Sequence, residues 1–389
     1  MRERIKKLLI CLCRFLPLRN DIIMESHPDF SDNTFALFQY FLKQGVNKRC
    51  RIYWALHNRE QKLPELPENV DTFYLDARGI RQMTKRFFAL YRSRYIIDCN
   101  TYIQKRRKGQ IRLHLGHGML IKIAKGYHTA EKIGECDGYL VTSPFWYDTF
   151  VKKVGLPEKV LLPLGYPRND VLVSLKAGQS RFGKYAGKYL VWMPTYRQHR
   201  SHMDGAMESR YPYGMPEVMK HGELLALDKL LAEKGMILYF RPHPVQELSL
   251  IRLEELEQIK IADDDFLHRA GITLYEMLAG AQGLITDYSS VYYDFLLTGR
   301  PIGLTIGDRE EYFNYYDCPF EDMKEAVRGS YIESFTELTD FICSVAAGEN
   351  PEIEELAVMR ERYHAVQDGS SSEKIYRYLQ ENYNFDRKI

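Results

Sequence analysis

Clustered cysteine is missing from this chain. The seven cysteines, at positions 11, 13, 50, 99, 136, 318 and 343, are odd in number, widely scattered and form no CxxC pair. This excludes a small disulfide scaffold and structural zinc of the finger or ribbon type, and it fits a reduced compartment. Long apolar runs are also missing. The opening run from Leu8 to Cys13 has six residues before Arg14 interrupts it, whereas a membrane span needs roughly 18. No GxxxxGK[ST], no GxGxxG after the first predicted strand and no Gly-x-Ser-x-Gly occurs, so P-loop, dinucleotide and nucleophile-elbow readings lack support. There is no internal repeat and no low-complexity tract.

The 389 residues, 45% apolar and 27% charged, have ordinary globular composition and suit two domains. The net charge of +2 is unevenly distributed. Residues 1–20 carry six Lys/Arg against Glu3, residues 78–125 carry thirteen against Asp98, and the remainder sums to −15. Two basic zones therefore face anionic partners. In the first, Ile5, Leu8, Leu9, Leu12, Phe15 and Leu16 share one helical face with Lys7 and Arg14 opposite, and Pro17 ends the pattern. An amphipathic helix over residues 1–20 follows, with an anionic membrane surface as the expected partner and packing on the protein as the competing reading. Lys105-Arg106-Arg107-Lys108 reads as a solvated basic face, because no nucleic-acid module accompanies it.

From Asp21 onward short apolar runs alternate with helical patterns. Strands are predicted at 21–25, 51–56, 72–75, 95–98, 111–115 and 139–141, and a second series at 189–193, 236–240, 283–286 and 302–304. Helices are predicted between them, for example over 33–44, 80–91, 223–234 and 290–298. This is the βαβ rhythm of parallel sheets. It predicts two Rossmann-like α/β domains, 21–175 and 188–389, joined by the Gly- and Lys/Arg-rich stretch 174–187. The closing helices 335–347 and 352–383 are assigned to the second domain, although such tails often pack back across a boundary.

Candidate chemistry gathers at predicted strand ends, where open parallel sheets bind ligands. Gly116-His117-Gly118 exposes an imidazole between two residues without side chains, a useful setting for a base. A loop histidine that only caps a turn is the alternative. Arg241-Pro242-His243-Pro244 offers a guanidinium and an imidazole on a restricted backbone, suited to phosphate, with an Arg–carboxylate pair as the alternative. Asp287, Ser289 and Ser290 stand where a strand turns into a helix, and Asp294 lies seven residues after Asp287. One of these carboxylates is expected to hold a ribose hydroxyl. Thr195 and Arg197 add a hydroxyl and a second guanidinium. Together these motifs describe a central cleft that binds a diphosphate. Asp263-Asp264-Asp265 has the DxD spacing of a metal–diphosphate site, but a solvated turn is the preferred reading, so neither metal nor cofactor is expected.

Taken in order, Glu25-Ser26 with Asp32-Asn33, the strand 136–143, Gly165-Tyr166-Pro167-Arg168-Asn169-Asp170, Pro194-Thr195-Tyr196-Arg197, Arg241-Pro242-His243-Pro244 and Thr286-Asp287-Tyr288-Ser289-Ser290 resemble the CDP-glycerol glycerophosphotransferase family of teichoic-acid synthesis. The resemblance implies a GT-B-like architecture, a CDP-alcohol donor, a lipid-linked or polymeric acceptor, and peripheral attachment to the cytoplasmic membrane face. It implies that His117 activates the acceptor hydroxyl and that Arg241, His243, Ser289 and Ser290 contact the diphosphate, His243 counting with His117 as catalytic. Lys122 closes the motif His117-Gly118-Met119-Leu120-Ile121-Lys122, which keeps the His, Gly and Lys of the family's His-Gly-Thr-Pro-Leu-Lys but not its Thr and Pro. The reaction expected is transfer of a polyol phosphate with release of CMP. The rivals are a GT-B glycosyltransferase using a nucleotide sugar and a non-catalytic membrane-bound adaptor for polyanions.

Overall fold

The computed structural model describes residues 16–60, 63–124, 129–175, 182–183, 187–195, 211–242, 255–314 and 316–386. The strands, in chain order, are β1 Arg19–Glu25, β2 Ile52–Leu56, β3 Val70–Tyr74, β4 Ser93–Asp98, β5 Ile111–His114, β6 Ile123–Ala124, β7 Gly138–Leu140, β8 Leu161–Leu162, β9 Tyr189–Met193, β10 Ile237–Phe240, β11 Ile259–Ile261, β12 Gly283–Thr286, β13 Ile302–Leu304, β14 Tyr316–Asp317 and β15 Ser330–Tyr331. They form a seven-stranded sheet, β3-β2-β1-β4-β5-β7-β8, and a six-stranded sheet, β11-β10-β9-β12-β13-β15, every pairing in both being parallel. A short antiparallel pair joins β6 to β14.

Parallel sheets covered by helices bury both faces, so their central strands are continuous apolar runs. Ile22, Ile23 and Met24 of β1 are fully buried, as are Leu190, Val191 and Trp192 of β9. Each sheet reverses its winding at one place: between β1 and β4 in the first, and between β9 and β12 in the second. At such a switch point the loops leaving the carboxyl ends of neighbouring strands diverge and open a crevice.

The chain divides into two compact units. The first contains Met1–Met119, Gly126–Asp170 and Gly369–Ile389, and the second Leu120–Lys125 and Val171–Asp368. This corrects the expected second-domain span of 188–389. The predicted helical stretch 352–383 is two helices, Ile353–Tyr363 and Ser371–Tyr383, and the latter belongs to the first unit. There Asp170 accepts hydrogen bonds from the Ser371 and Ser372 amides, both at 2.9 Å. Asp386 takes the Arg49 guanidinium at 2.5 Å, and Phe385 packs on Phe41 with ring centroids 5.1 Å apart. The second unit likewise takes Leu120–Lys125 from within the first, because β6 pairs with β14.

Of the predicted helix over 1–20, residues 1–15 lie outside the described residues, and Arg19 and Asn20 belong to β1. Some of the cations of the basic zone 78–125 are taken by partners within the protein. Arg112 and Asp98 form a fully buried ion pair at 2.8 Å. Lys105 pairs with Glu135 at 2.6 Å and Asp137 at 3.2 Å, Lys85 pairs with Asp71, and Arg107 donates to the Leu16 carbonyl at 2.8 Å. Two members of the run 105–108 are therefore structural, so that segment is more than a solvated face.

Candidate functional site

In the first unit the chemistry lies at the strand ends. His117 follows β5 in a loop that Gly116 turns at φ +69°, and the side chain is 64% exposed. The loop is pinned by Asn33, whose Nδ2 donates to the carbonyls of Leu115 at 3.4 Å and Gly116 at 3.2 Å. His117 Nδ1 lies 2.6 Å from Asp32 Oδ2, and Arg168 Nη1 lies 2.5 Å from Asp32 Oδ1. Arg168 also donates to the His117 carbonyl at 3.1 Å, and the Asn33 amide donates to Asp32 at 2.7 Å.

Asp32 is thus a buried carboxylate serving an imidazole, a guanidinium and an amide. Burial alone would raise its pKa, but Arg168 and His117 outweigh that and hold it well below the carboxylate range. The Asp32 charge and hydrogen bond in turn raise the pKa of His117, against opposing contributions from desolvation and Arg168. With Nδ1 donating to Asp32, Nε2 carries the lone pair, and it has no hydrogen-bond partner among the described residues. This arrangement orients a base and strengthens it. Asp32 itself sits at φ +59°, a left-handed conformation that Asp and Asn accept more readily than other side chains.

Beside the β1/β4 switch point a second group converges. Glu25 is fully buried, and its Oε1 is 2.7 Å from His57 Nε2. Burial pushes the Glu25 carboxyl above its ordinary value, partly offset by the His57 hydrogen bond. The charge of Glu25 is felt at His117, and that of His117 is felt at His27.

In the second unit the switch point lies between β9 and β12. Asp287, fully buried, accepts from the Thr195 amide with both oxygens at 2.9 Å, and so ties the loop after β9 to the loop after β12. Ser289 and Ser290 follow at the surface of that crevice, half-buried, and Ser290 caps the short helix Val291–Leu296 without a side-chain cap bond. Arg241 leaves the end of β10. Its Nη1 donates to the Ala262 carbonyl at 2.7 Å and its Nη2 pairs with Asp264 at 2.6 Å. The Arg–carboxylate pair weighed in the sequence is therefore present, and its carboxylate comes from the aspartate triplet. Asp263 of that triplet caps the following helix by accepting from the Phe266 amide at 2.7 Å. No metal-binding cluster occurs among the described residues.

Two expected contacts are placed differently. Asp294 is 2% exposed and accepts from the Tyr275 hydroxyl at 2.6 Å. The seven-residue spacing does not bring it out beside Asp287, because both carboxylates are taken inward by neighbouring groups. Lys122 donates to the Tyr312 hydroxyl, and its ammonium lies 5.1 Å from the Tyr312 ring and 5.0 Å from that of Tyr316. The Tyr312 ring stacks on that of Tyr316 on one side and Tyr288 on the other, with centroids 4.8 and 4.0 Å apart, so Lys122 anchors β6 to an aromatic column. His243 and Arg197 lie outside the described residues.

The family model for CDP-Glycerol:Poly(glycerophosphate) glycerophosphotransferase matches residues 10–381. The chain belongs to that family. Among curated relatives, the teichoic acid ribitol-phosphate primase of Bacillus spizizenii is 25% identical over 298 residues, covering 70% of each chain. The teichoic acid glycerol-phosphate transferase of Staphylococcus aureus is 25% identical over 388 residues, covering 92% of each. The chain spans 66% and 43% of two S. aureus ribitol-phosphate polymerases, TarL and TarK. A structure of the wall teichoic acid polymerase TagF superposes with TM-score 0.69 at 19% identity, covering 94% of this chain and 89% of that one. That likeness is one of fold, the GT-B-like class with two Rossmann-like units.

In this family member two glycines mark His117 in the sequence, whereas nothing there gives Asp32 or Arg168 a role. The signal was present, since Asp32-Asn33 and Arg168-Asn169-Asp170 both stand among the family-like motifs. What joins them is a contact across 136 positions of chain. His57, which meets Glu25, stands in no motif.

Proposed function

We propose that this chain transfers a polyol phosphate, glycerol phosphate first among candidates, from a CDP-alcohol to a hydroxyl of a lipid-linked or polymeric teichoic-acid-like acceptor. The observation that carries the reading is the Asp32–His117 pair, within a chain matched over nearly its whole length by the glycerophosphotransferase family. The acceptor oxygen attacks the polyol-bearing phosphorus, its proton passes to His117 Nε2, and the bond to the CMP oxygen breaks. CMP departs as an ionised phosphate and needs no strong general acid. Charge stabilisation is the larger requirement. In the second unit Arg241, Ser289 and Ser290 supply donors for the diphosphate, joined by His243, Arg197 and the Thr195 hydroxyl. Asp287 acts by holding Thr195. Arg241 meets the donor by exchanging its bond to Asp264, a carboxylate 61% exposed.

Among the described residues no helix is long and apolar enough to cross a membrane. Peripheral attachment to the cytoplasmic membrane face through residues 1–20 accounts for the basic apolar start, and loss of liposome binding on deletion of residues 1–15 tests it. The reaction is tested with a panel of CDP-alcohols, each scored for CMP release with and without lipid-linked acceptor. Release of UDP or GDP from a nucleotide sugar instead would replace the reading with a glycosyltransferase. No turnover with any donor would favour the polyanion adaptor.

A further inference from the structure

The group at the β1/β4 switch point of the first unit is not used by the His117 chemistry, yet it is built as a site. Glu25 Oε2 accepts from the Asn100 amide at 3.2 Å, and Asn100 Oδ1 accepts from the His27 amide at 3.0 Å, so the loops after β1 and β4 are locked together. Asp29 accepts from the amides of His57 at 2.9 Å and Asn58 at 2.9 Å, which fixes the loop after β2. The rings of His27, His57 and Tyr102 then cluster, His57 lying 4.8 Å from His27 and 4.4 Å from Tyr102. Tyr102 is 57% exposed. Because His57 Nε2 and Asn100 Oδ1 are occupied, His57 Nδ1, Asn100 Nδ2, the Tyr102 hydroxyl and the ring nitrogens of His27 are polar atoms that remain for a ligand. They are hydrogen-bonding groups set around aromatic faces with the carboxyl groups of Glu25 and Asp29 behind them, a combination that suits a hydroxylated carbon chain rather than a diphosphate.

We infer that this cluster is the subsite for the terminal polyol unit of the acceptor, holding its hydroxyls and carbon chain while His117 serves the hydroxyl that reacts. The inference rests on the proposed polyol-phosphate transfer and assigns its acceptor end to named residues. The test is calorimetry with a soluble tri(glycerol phosphate) as acceptor probe and CDP-glycerol as donor probe, on the wild type, on His27→Ala with Tyr102→Ala, and on Tyr102→Phe, which removes only a hydroxyl. The double variant is expected to bind the oligomer about tenfold more weakly and Tyr102→Phe a few-fold more weakly, with CDP-glycerol affinity within twofold of wild type. Oligomer affinity unchanged in the double variant, no oligomer binding by the wild type, or a parallel loss of CDP-glycerol affinity would each overturn the assignment. Failure of the transfer reading is separately visible, as a wild type that releases no CMP from any CDP-alcohol.

Discussion

Replacing Asp32 with Asn perturbs the candidate base at one atom. Asn accepts the left-handed backbone at this position, so the φ of +59° adds little strain. The amide oxygen can still serve Arg168 or the Asn33 amide, but the negative charge is gone. Two effects follow. Arg168, whose side chain is 6% exposed, loses its counter-charge. Breaking one side of a buried pair costs about 3–5 kcal/mol, and the surviving hydrogen bond places the expectation near the lower end. The second effect is on His117. Its pKa is raised by Asp32, so the folded value lies above the unfolded one, and the pair's stabilisation is complete below the unfolded pKa and lost as pH rises through the folded pKa. Activity has the opposite sign, since the base works when neutral and the rate rises through that same folded pKa. In Asp32→Asn the acid limb of the pH profile should move to lower pH while the plateau falls by about 10²–10⁴-fold, the usual weight of a positioned base. Steady-state CMP release from pH 5 to 9, with a urea melt beside it, measures both. An acid limb that stays in place with a plateau within threefold of wild type would refute the Asp32–His117 assignment.

His117→Ala should abolish CMP release while CDP-glycerol affinity by calorimetry stays within about threefold; equal loss of donor binding would place His117 on the donor instead. Lys122→Met should lower unfolding stability by about 0.5–2 kcal/mol through loss of the ammonium over Tyr312 and Tyr316, and a tenfold weaker CDP-glycerol Kd in that variant would return Lys122 to the substrate site. Arg112→Met leaves Asp98 buried without its guanidinium and should cost about 3–5 kcal/mol in a denaturant melt; a cost under 1 kcal/mol would mean that His114, 2.9 Å from Asp98, suffices alone. Gly329→Ala should destabilise by about 1–3 kcal/mol, because a Cβ there would stand 2.5 Å from the Ile302 carbonyl oxygen; an unchanged melt would show that the backbone yields.

Much of the fold was legible because buried parallel strands are apolar runs whatever surrounds them. β9, β12 and β13 match their predicted bounds residue for residue, and β1, β2, β4 and β5 are shifted by one or two. β6, β8, β11, β14 and β15 are two or three residues long, too short to show a period in the sequence. β6 and β14 exist only because they pair with each other. The path of the last helix was equally invisible: Ser371–Tyr383 has an ordinary amphipathic pattern, and nothing in it names the helix it will cover.

The candidate sites divide along the same line. Motif residues at strand ends, among them His117, Arg241, Thr195 and Asp287, could be named from sequence, because a parallel sheet places every such end on one edge and Gly and Pro mark the turns. The sequence by itself thus determined two α/β units, the family, and the positions where chemistry gathers. Which of those side chains are consumed in internal contacts was decided by tertiary structure. Asp287 and Asp294 turned inward, Arg241 found Asp264, and Lys122 found a tyrosine column, whereas Asp32 and Arg168 met His117 from distant parts of the chain. The physical reason is that a hydrogen bond or ion pair depends on distances of about 3 Å, and spacing along the chain fixes such distances only between near neighbours.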